Sequence, residues 1–403
     1  MWENTTYKSI MVVLLVAMLP IIALAQDNDS AERILSWPQN LVGELNKTID
    51  NSYFSKTQIG LIIYDLTADS VLYAHNEKQL LRPASTMKLL TGITALDRLG
   101  SGYCYSTTLA IDGDTLNRVL RGNIYCRGGF DPSFSEKDMD AFVEGLKNLG
   151  IDSVAGRIYE DLTFKDDKKF GSGWCWDDDN YTLTPLLLNK KDAFMNTFCK
   201  KLKQQISLAN DTVCRGTVPA EARVVATCRH SILTILNQMM KESDNLYAES
   251  MLYQIAASSG KKNVTADDGL AVIKSLINSI GMDADTYNFA DGSGLSLYNY
   301  VSAELECALL KYAYHKDEIF RNLFPSLPVA GRDGTLSKRM KNTSAEGCVH
   351  AKTGTLKGVS SLAGYCQAYN GHQLCFVIID QGVMKQSEAK MFQNRICQIM
   401  CSI

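Results

Sequence analysis

The chain lacks most of the short signatures that announce a metal, a nucleotide or a histidine-driven hydrolase. It has no Cys-x-x-Cys pair, no paired-histidine spacing, no Gly-x-Gly-x-x-Gly run and no Gly-x-Ser-x-Gly elbow. These absences argue against a zinc ribbon, a dinucleotide crevice and an α/β-hydrolase nucleophile, so neither metal nor cofactor is expected. Histidine is scarce, at 5 in 403 residues. Only His350, two residues before Lys352, stands near a motif, and without an elbow serine a Ser-His-Asp reading is set aside. Charge of one sign is also missing. Lys+Arg 41 against Asp+Glu 44 leaves a net −3 with both signs mixed, which gives no electrostatic case for nucleic acid or a membrane patch. No long repeat or low-complexity tract is present.

What is there begins with an address. Lys8 precedes an apolar run from Ile10 to Leu24, and Ala23-Leu24-Ala25 before Gln26 has the small-x-small form of a signal-peptidase site. The run is short and contains Pro20, which suits a cleaved leader (residues 1–25) better than a membrane span. Export to the periplasm, outside the cytoplasmic membrane, is therefore expected. The remaining length suffices for two cores.

Three strings then stand far apart in a fixed order: Ser85-Thr86-Met87-Lys88, Ser243-Asp244-Asn245 and Lys352-Thr353-Gly354. Ser-x-x-Lys, Ser-Asp-Asn and Lys-Thr-Gly are the catalytic set of serine acyl-transfer enzymes. Ser85 follows Pro83, and Leu89, Leu90, Ile93, Leu96 and Leu99 recur at helical spacing until Gly100, so Ser85 reads as the N-terminus of a helix. Residues three apart share a helix face, which brings the Lys88 amine to the Ser85 hydroxyl. Desolvation by the apolar helix would favour the neutral amine, able to take the hydroxyl proton.

Ser243-Asp244-Asn245 lies between two helical patterns. Alone it reads best as a cap for the second helix; in company it offers Ser243 as a proton relay and Asn245 as a holder of lysine or substrate. Lys352-Thr353-Gly354-Thr355 reads as a strand edge that binds a carboxylate through Lys352 and Thr353, with the Thr355 N–H joining that of Ser85 in an oxyanion hole. Alone, it is a strand running into a turn.

With these strings the chain resembles the D-alanyl-D-alanine carboxypeptidase/endopeptidase family, the class C low-molecular-mass penicillin-binding proteins related to penicillin-binding protein 4. Gly128-Gly129-Phe130-Asp131-Pro132, Gly173-Trp174-Cys175-Trp176, Asp291-Gly292-Ser293-Gly294-Leu295-Ser296, Leu327-Pro328-Val329-Ala330-Gly331 and Asp333-Gly334-Thr335-Leu336 carry the likeness from about residue 40 to the end. The resemblance implies cleavage after the penultimate D-alanine of peptidoglycan stem peptides, with cleavage of D-alanyl crosslinks as a second activity, and acylation of Ser85 by penicillins. A serine β-lactamase and an inactive peptidoglycan-binding protein are the competing readings. No convincing base for fast deacylation is legible, and intact Ser85 and Lys88 argue against a dead module. Two departures stand out. The insertion between the first two strings is shorter than the family's, and Leu297 occupies a place where the family carries arginine.

The expected fold is α+β. A transpeptidase-like antiparallel sheet drawn from both termini and covered by helices (26–101 and 227–403) carries an inserted β-rich domain (102–226). Within the insert, Leu109 to Tyr125 reads as a hairpin turning at Asp112-Gly113-Asp114. Trp174 and Trp176 read as packing residues. Twelve cysteines in an oxidising compartment make disulfides conceivable. If Asn370-Gly371 is a two-residue turn, Cys366 falls opposite Cys375, so those two are expected in contact. Oligomeric state is not legible.

Overall fold

The structure is a computed structural model that describes residues 36–49, 56–178 and 180–403. The expected leader lies outside the described residues. In chain order, helix α1 (Gln39–Ile49) precedes strands β1 (Gln58–Asp65) and β2 (Ser70–His75) and helix α2 (Met87–Leu99). The middle of the chain holds β3 (Cys104–Ile111), β4 (Asp114–Leu116), β5 (Val119–Arg121), β6 (Ile124–Arg127), α3 (Glu136–Asn148), β7 (Ser153–Val154) and β8 (Ile158–Asp161). It continues through α4 (Phe194–Lys203), β9 (Ser207–Leu208), β10 (Val213–Arg215) and β11 (Arg223–Ser231). Helices α5 (Ile232–Lys241), α6 (Asn245–Ala257), α7 (Ala266–Ser279), α8 (Ala303–Tyr314) and α9 (Asp317–Ser326) follow. Strands β12 (His350–Leu356), β13 (Val359–Gln367) and β14 (Gln373–Gln381) and helix α10 (Gln386–Ser402) complete the chain.

The expected sheet from both termini is present, in the order β12-β13-β14-β1-β2, antiparallel throughout. Alternation along β1 assigns its two faces: Leu61 and Ile63 join one core with α1 and α10, while Ile62 and Tyr64 join the other with α2, α5, α6 and α8. Each leucine buried in these layers contributes about 1.5–3 kcal/mol relative to exposure, so the helices are held to the sheet mainly by apolar area. α2 forms where the leucine spacing predicts it, and Gly100 ends it at φ +76, its N–H closing on the Leu96 carbonyl.

The middle segment makes a second five-stranded sheet, β10-β8-β6-β3-β11, and a small four-stranded one, β4-β5-β7-β9. They enclose their own core around Leu109, Phe134, Phe142, Phe194 and Phe198. The hairpin within it differs from expectation. β3 pairs with β6, Ile111 opposite Ile124, and the tight turn is not at Asp112-Gly113-Asp114 but at Asn117-Arg118, between β4 and β5. Asn117 and Arg118 both take φ above zero (51° and 65°), the conformation a primed two-residue turn demands.

The register of the last hairpin also corrects an expectation. Ala368 N–H bonds to the His372 carbonyl, so the loop has three residues, with Gly371 at φ +89. That shifts the pairing by one residue: Cys366 lies opposite Leu374, and Tyr365 opposite Cys375. A one-residue slip exchanges faces, so Cys366 and Cys375 point into opposite cores and do not meet. Cys375 instead lies 3.7 Å, sulfur to sulfur, from Cys307 on α8.

Candidate active site

The three strings converge where α2, the α5–α6 connection and β12 meet. Ser85 sits in a single 3₁₀ turn, Ala84–Thr86, that leads directly into α2. Ala84 is held at φ +51, a costly conformation for a residue with a β-carbon, and it aims the next residue out of the helix line. From one turn further, the buried Lys88 amine reaches back to Ser85 Oγ at 2.9 Å, to Asn245 Oδ1 at 2.7 Å and to the Ser293 carbonyl at 2.8 Å. Burial pushes its pKa down to about 8, opposed by the carboxylates of Asp291, Glu249 and Asp244. The amine is thus poised between its two protonation states near neutral pH.

Ser243 occupies the tight connection at φ +59, and Asp244 caps α6 by accepting from Leu246 N and Tyr247 N. Asp244 thus caps the helix, while Asn245 and Ser243 contact the amines of Lys88 and Lys352. Ser243 Oγ lies 2.8 Å from Lys352 Nζ, whose other partner is the Thr353 carbonyl. Lys352 is fully buried and has no carboxylate partner among the described residues; desolvation, reinforced by the Lys88 charge, holds its pKa well below the ordinary lysine value. A carboxylate arriving beside it would favour its charged form and pair with it.

Thr353 Oγ1 bonds to Thr335 Oγ1 at 2.7 Å. Gly354 faces the nucleophile turn so closely that a β-carbon there would lie 2.9 Å from Ser85 N and 2.0 Å from Ser361 Oγ. Thr355 pairs with Ser360 in the sheet beside it. Lys88 thus joins Ser85 to Asn245, Lys352 is joined to Ser243, and β12 lies along the edge of the nucleophile turn.

Several supporting residues have no signature of their own. Asp291 accepts five hydrogen bonds, from Trp174 Nε1, Ser296 N, Ser293 Oγ, Gly294 N and Asn299 Nδ2. That wraps the 291–299 loop around a carboxylate and points the Ser293 carbonyl at Lys88. Gly294 at φ +80 is required, since a β-carbon would come within 1.8 Å of the Ala84 carbonyl oxygen. Glu249, pushed up to about 8 by burial and Asp291, accepts from Gly292 N and Ser293 N and is thereby turned away from the cleft. The Asp-Gly-Ser-Gly stretch was the one visible signal of this loop. Trp174 is half-buried as expected, but Trp176 is 95% exposed and does not serve as a packing residue among the described residues. Where the family carries arginine after Gly-Leu-Ser, Leu297 offers its carbonyl to Arg82 Nε at 2.9 Å, so a guanidinium reaches this loop from the other side.

Comparison with known proteins gives the family and the fold. The model of the D-Ala-D-Ala carboxypeptidase 3 (S13) family matches residues 41–187 and 186–402. A D-alanyl-D-alanine carboxypeptidase of Actinomadura sp. strain R39 is 27% identical over 419 residues, which span 80% of this chain and 77% of that one. The crystal structure of penicillin-binding protein 4 from Haemophilus influenzae superposes with a TM-score of 0.80 at 22% identity, covering 89% of this chain and 98% of that chain. A predatory peptidoglycan endopeptidase from Bdellovibrio bacteriovorus superposes at a TM-score of 0.57 and 16% identity, covering 86% and 93%. The α+β fold is the one these structures share.

Proposed function

This chain belongs to the D-Ala-D-Ala carboxypeptidase 3 (S13) family and is a serine peptidase, and on that premise we propose how its own residues divide the work. Ser85 Oγ attacks the carbonyl of the penultimate D-alanine in a peptidoglycan stem peptide, and the neutral Lys88 amine takes its proton. The backbone N–H groups of Ser85 and Thr355 hold the oxyanion. Lys352 and Thr353 bind the terminal carboxylate, and Gly354 lets β12 pack against the Ser85 turn. Ser243 passes a proton to the leaving D-alanine amine, while Asn245 fixes Lys88. Water then releases the acyl group. A penicillin follows the first half of this course, its ring opening as Ser85 Oγ bonds to its carbonyl carbon.

The observation that carries the reading is Lys88 Nζ, buried, 2.9 Å from Ser85 Oγ and with its pKa brought to about 8. The buried, carboxylate-free Lys352 supports the same reading from the binding side. Cleavage of D-alanyl crosslinks belongs to the same chemistry, since the crosslink presents the same D-alanyl carbonyl. We further propose export to the periplasm through the leader at residues 1–25. The chain divides into a body (26–101 and 227–403) and an insert (102–226), supported by the separate apolar core of the middle segment.

The test is release of D-alanine from a stem pentapeptide ending in D-Ala-D-Ala, beside the peptide ending in L-Ala-L-Ala. Release from the first alone is expected. Equal release from both, or from neither, contradicts the reading.

A further inference from the structure

The Gly-Gly-Phe-Asp-Pro stretch has no part in the acyl-transfer chemistry, yet its aspartate is buried. Asp131 Oδ2 lies 2.6 Å from His230 Nδ1, and Cys228 Sγ lies 3.8 Å from the same nitrogen. The three ligand atoms all fall within 4.8 Å of one another. Cys228 and His230 are two apart on β11, so both turn to one face of the strand, while Thr227 and Arg229 between and before them are exposed. Asp138, in the first turn of α3, lies on the other side of the ring, 3.9 Å from His230 Nε2, and is held by Ser135 N and Oγ. A thiol, an imidazole nitrogen and a carboxylate from two separate segments thus face a common point.

We propose that Asp131, Cys228 and His230 form a binding site for one divalent zinc ion, with water in the fourth position. Two ligands of a tetrahedral zinc, at about 2.0–2.3 Å from the metal, are roughly 3.2–3.6 Å apart. The Cys228–His230 separation is close to that value already, and the Asp131–His230 hydrogen bond has to open by under about 1 Å to admit the ion. The donor set, one sulfur, one imidazole nitrogen and carboxylate oxygen, suits borderline-soft zinc better than magnesium or calcium. Binding transfers the Cys228 thiol proton to solvent and leaves a thiolate on the metal.

The position gives the ion a use. It ties β11, which returns the chain from the middle segment to α5, to the loop after β6. Ser133, two residues from Asp131, bonds through Oγ to the Tyr247 hydroxyl at 3.1 Å, and Tyr247 is two residues beyond Asn245. The ion therefore braces the middle segment against the helix that carries Asn245.

The experiment uses the purified full chain stripped of metal and titrated with Co2+ as an optical probe, then with Zn2+ against a chromophoric chelator. The intact protein is expected to take up about one equivalent, to show a sulfur-to-cobalt charge-transfer band, and to gain thermal stability with Zn2+. Cys228→Ser is expected to lose the band and, with His230→Gln, to weaken Zn2+ binding at least about tenfold. Acylation of both variants by penicillin shows that they are folded. No band in the intact protein, or a band that persists in Cys228→Ser, overturns the proposal and leaves Asp131–His230 as an ion pair alone.

Discussion

Thr86 Oγ1 lies 2.8 Å from the Pro83 carbonyl and 2.6 Å from Glu306 Oε1. A hydroxyl has one hydrogen, and the Pro83 carbonyl can only accept. The Pro83 carbonyl also accepts from Ser361 Oγ at 2.6 Å, so the Thr86 hydroxyl can donate to Glu306 Oε1. Burial pushes the Glu306 pKa up to about 8, with the Thr86 hydrogen bond opposing. A neutral acid is thus locked behind the residue next to the nucleophile.

Stability should fall as pH rises from about 4.5 towards 8. Glu306, Glu249 and Asp380 are each raised to about 8, so over that window the folded chain holds protons the unfolded chain has released. Glu306→Gln keeps a carbonyl oxygen to accept from Thr86 without the titration and is expected to flatten part of this slope, by at most a few kcal/mol between the two ends. Denaturant unfolding at stepped pH measures it; a slope unchanged in the variant contradicts the protonated Glu306.

Lys88 acts in its neutral form, so acylation of Ser85 should rise about tenfold per pH unit below about 8 and level off above it. Lys88→Met removes the base and is expected to slow acylation by about 10²–10⁴-fold with the fold intact. Stopped-flow acylation by a chromogenic penicillin across pH reads both. A rate that falls as pH rises through 8 would make the ammonium, rather than the amine, the working species.

Lys352 awaits a negative partner. Lys352→Met should therefore reduce kcat/KM for a peptide with a free C-terminal carboxylate by about 10–100-fold, or roughly 1.5–3 kcal/mol, through the lost charge-assisted hydrogen bond. The same peptide as its C-terminal amide should be nearly indifferent to the substitution. Equal losses on both substrates would assign Lys352 to the proton path instead.

Asp291 has two oxygens for five donors. Asp291→Asn leaves one oxygen and turns an amide N–H₂ toward at least two of those donors, at a cost of at least about 3 kcal/mol. The expected result is a lower midpoint in thermal unfolding, together with slower acylation because the Ser293 carbonyl no longer fixes Lys88. Retained stability and rate would show that the 291–299 loop holds itself.

The catalytic strings were legible because each depends on local spacing: three residues along a helix, a capping turn, a strand edge. So were the sheet strands, whose alternation is a property of neighbouring residues. What escaped depends on the third dimension or on a single residue of loop length. The last hairpin holds one more loop residue than Asn-Gly suggests, and that alone moved Cys366 and Cys375 to opposite faces. Glu249 and Glu306 sit in helical patterns as ordinary polar residues, and nothing in sequence marks them as buried. Trp176, two residues from the half-buried Trp174, is exposed within a turn closed by the Asp178 N–H on the Cys175 carbonyl. Cys228 and His230 look unremarkable until Asp131, almost a hundred positions earlier, is folded against them.

The most direct measurement is intact-protein mass spectrometry with a penicillin, comparing the native chain with Ser85→Ala over hours. One adduct per chain, stable and lost in Ser85→Ala, is the expected result. No adduct, or an adduct that survives in Ser85→Ala, would contradict the assignment of Ser85 as the acylated nucleophile.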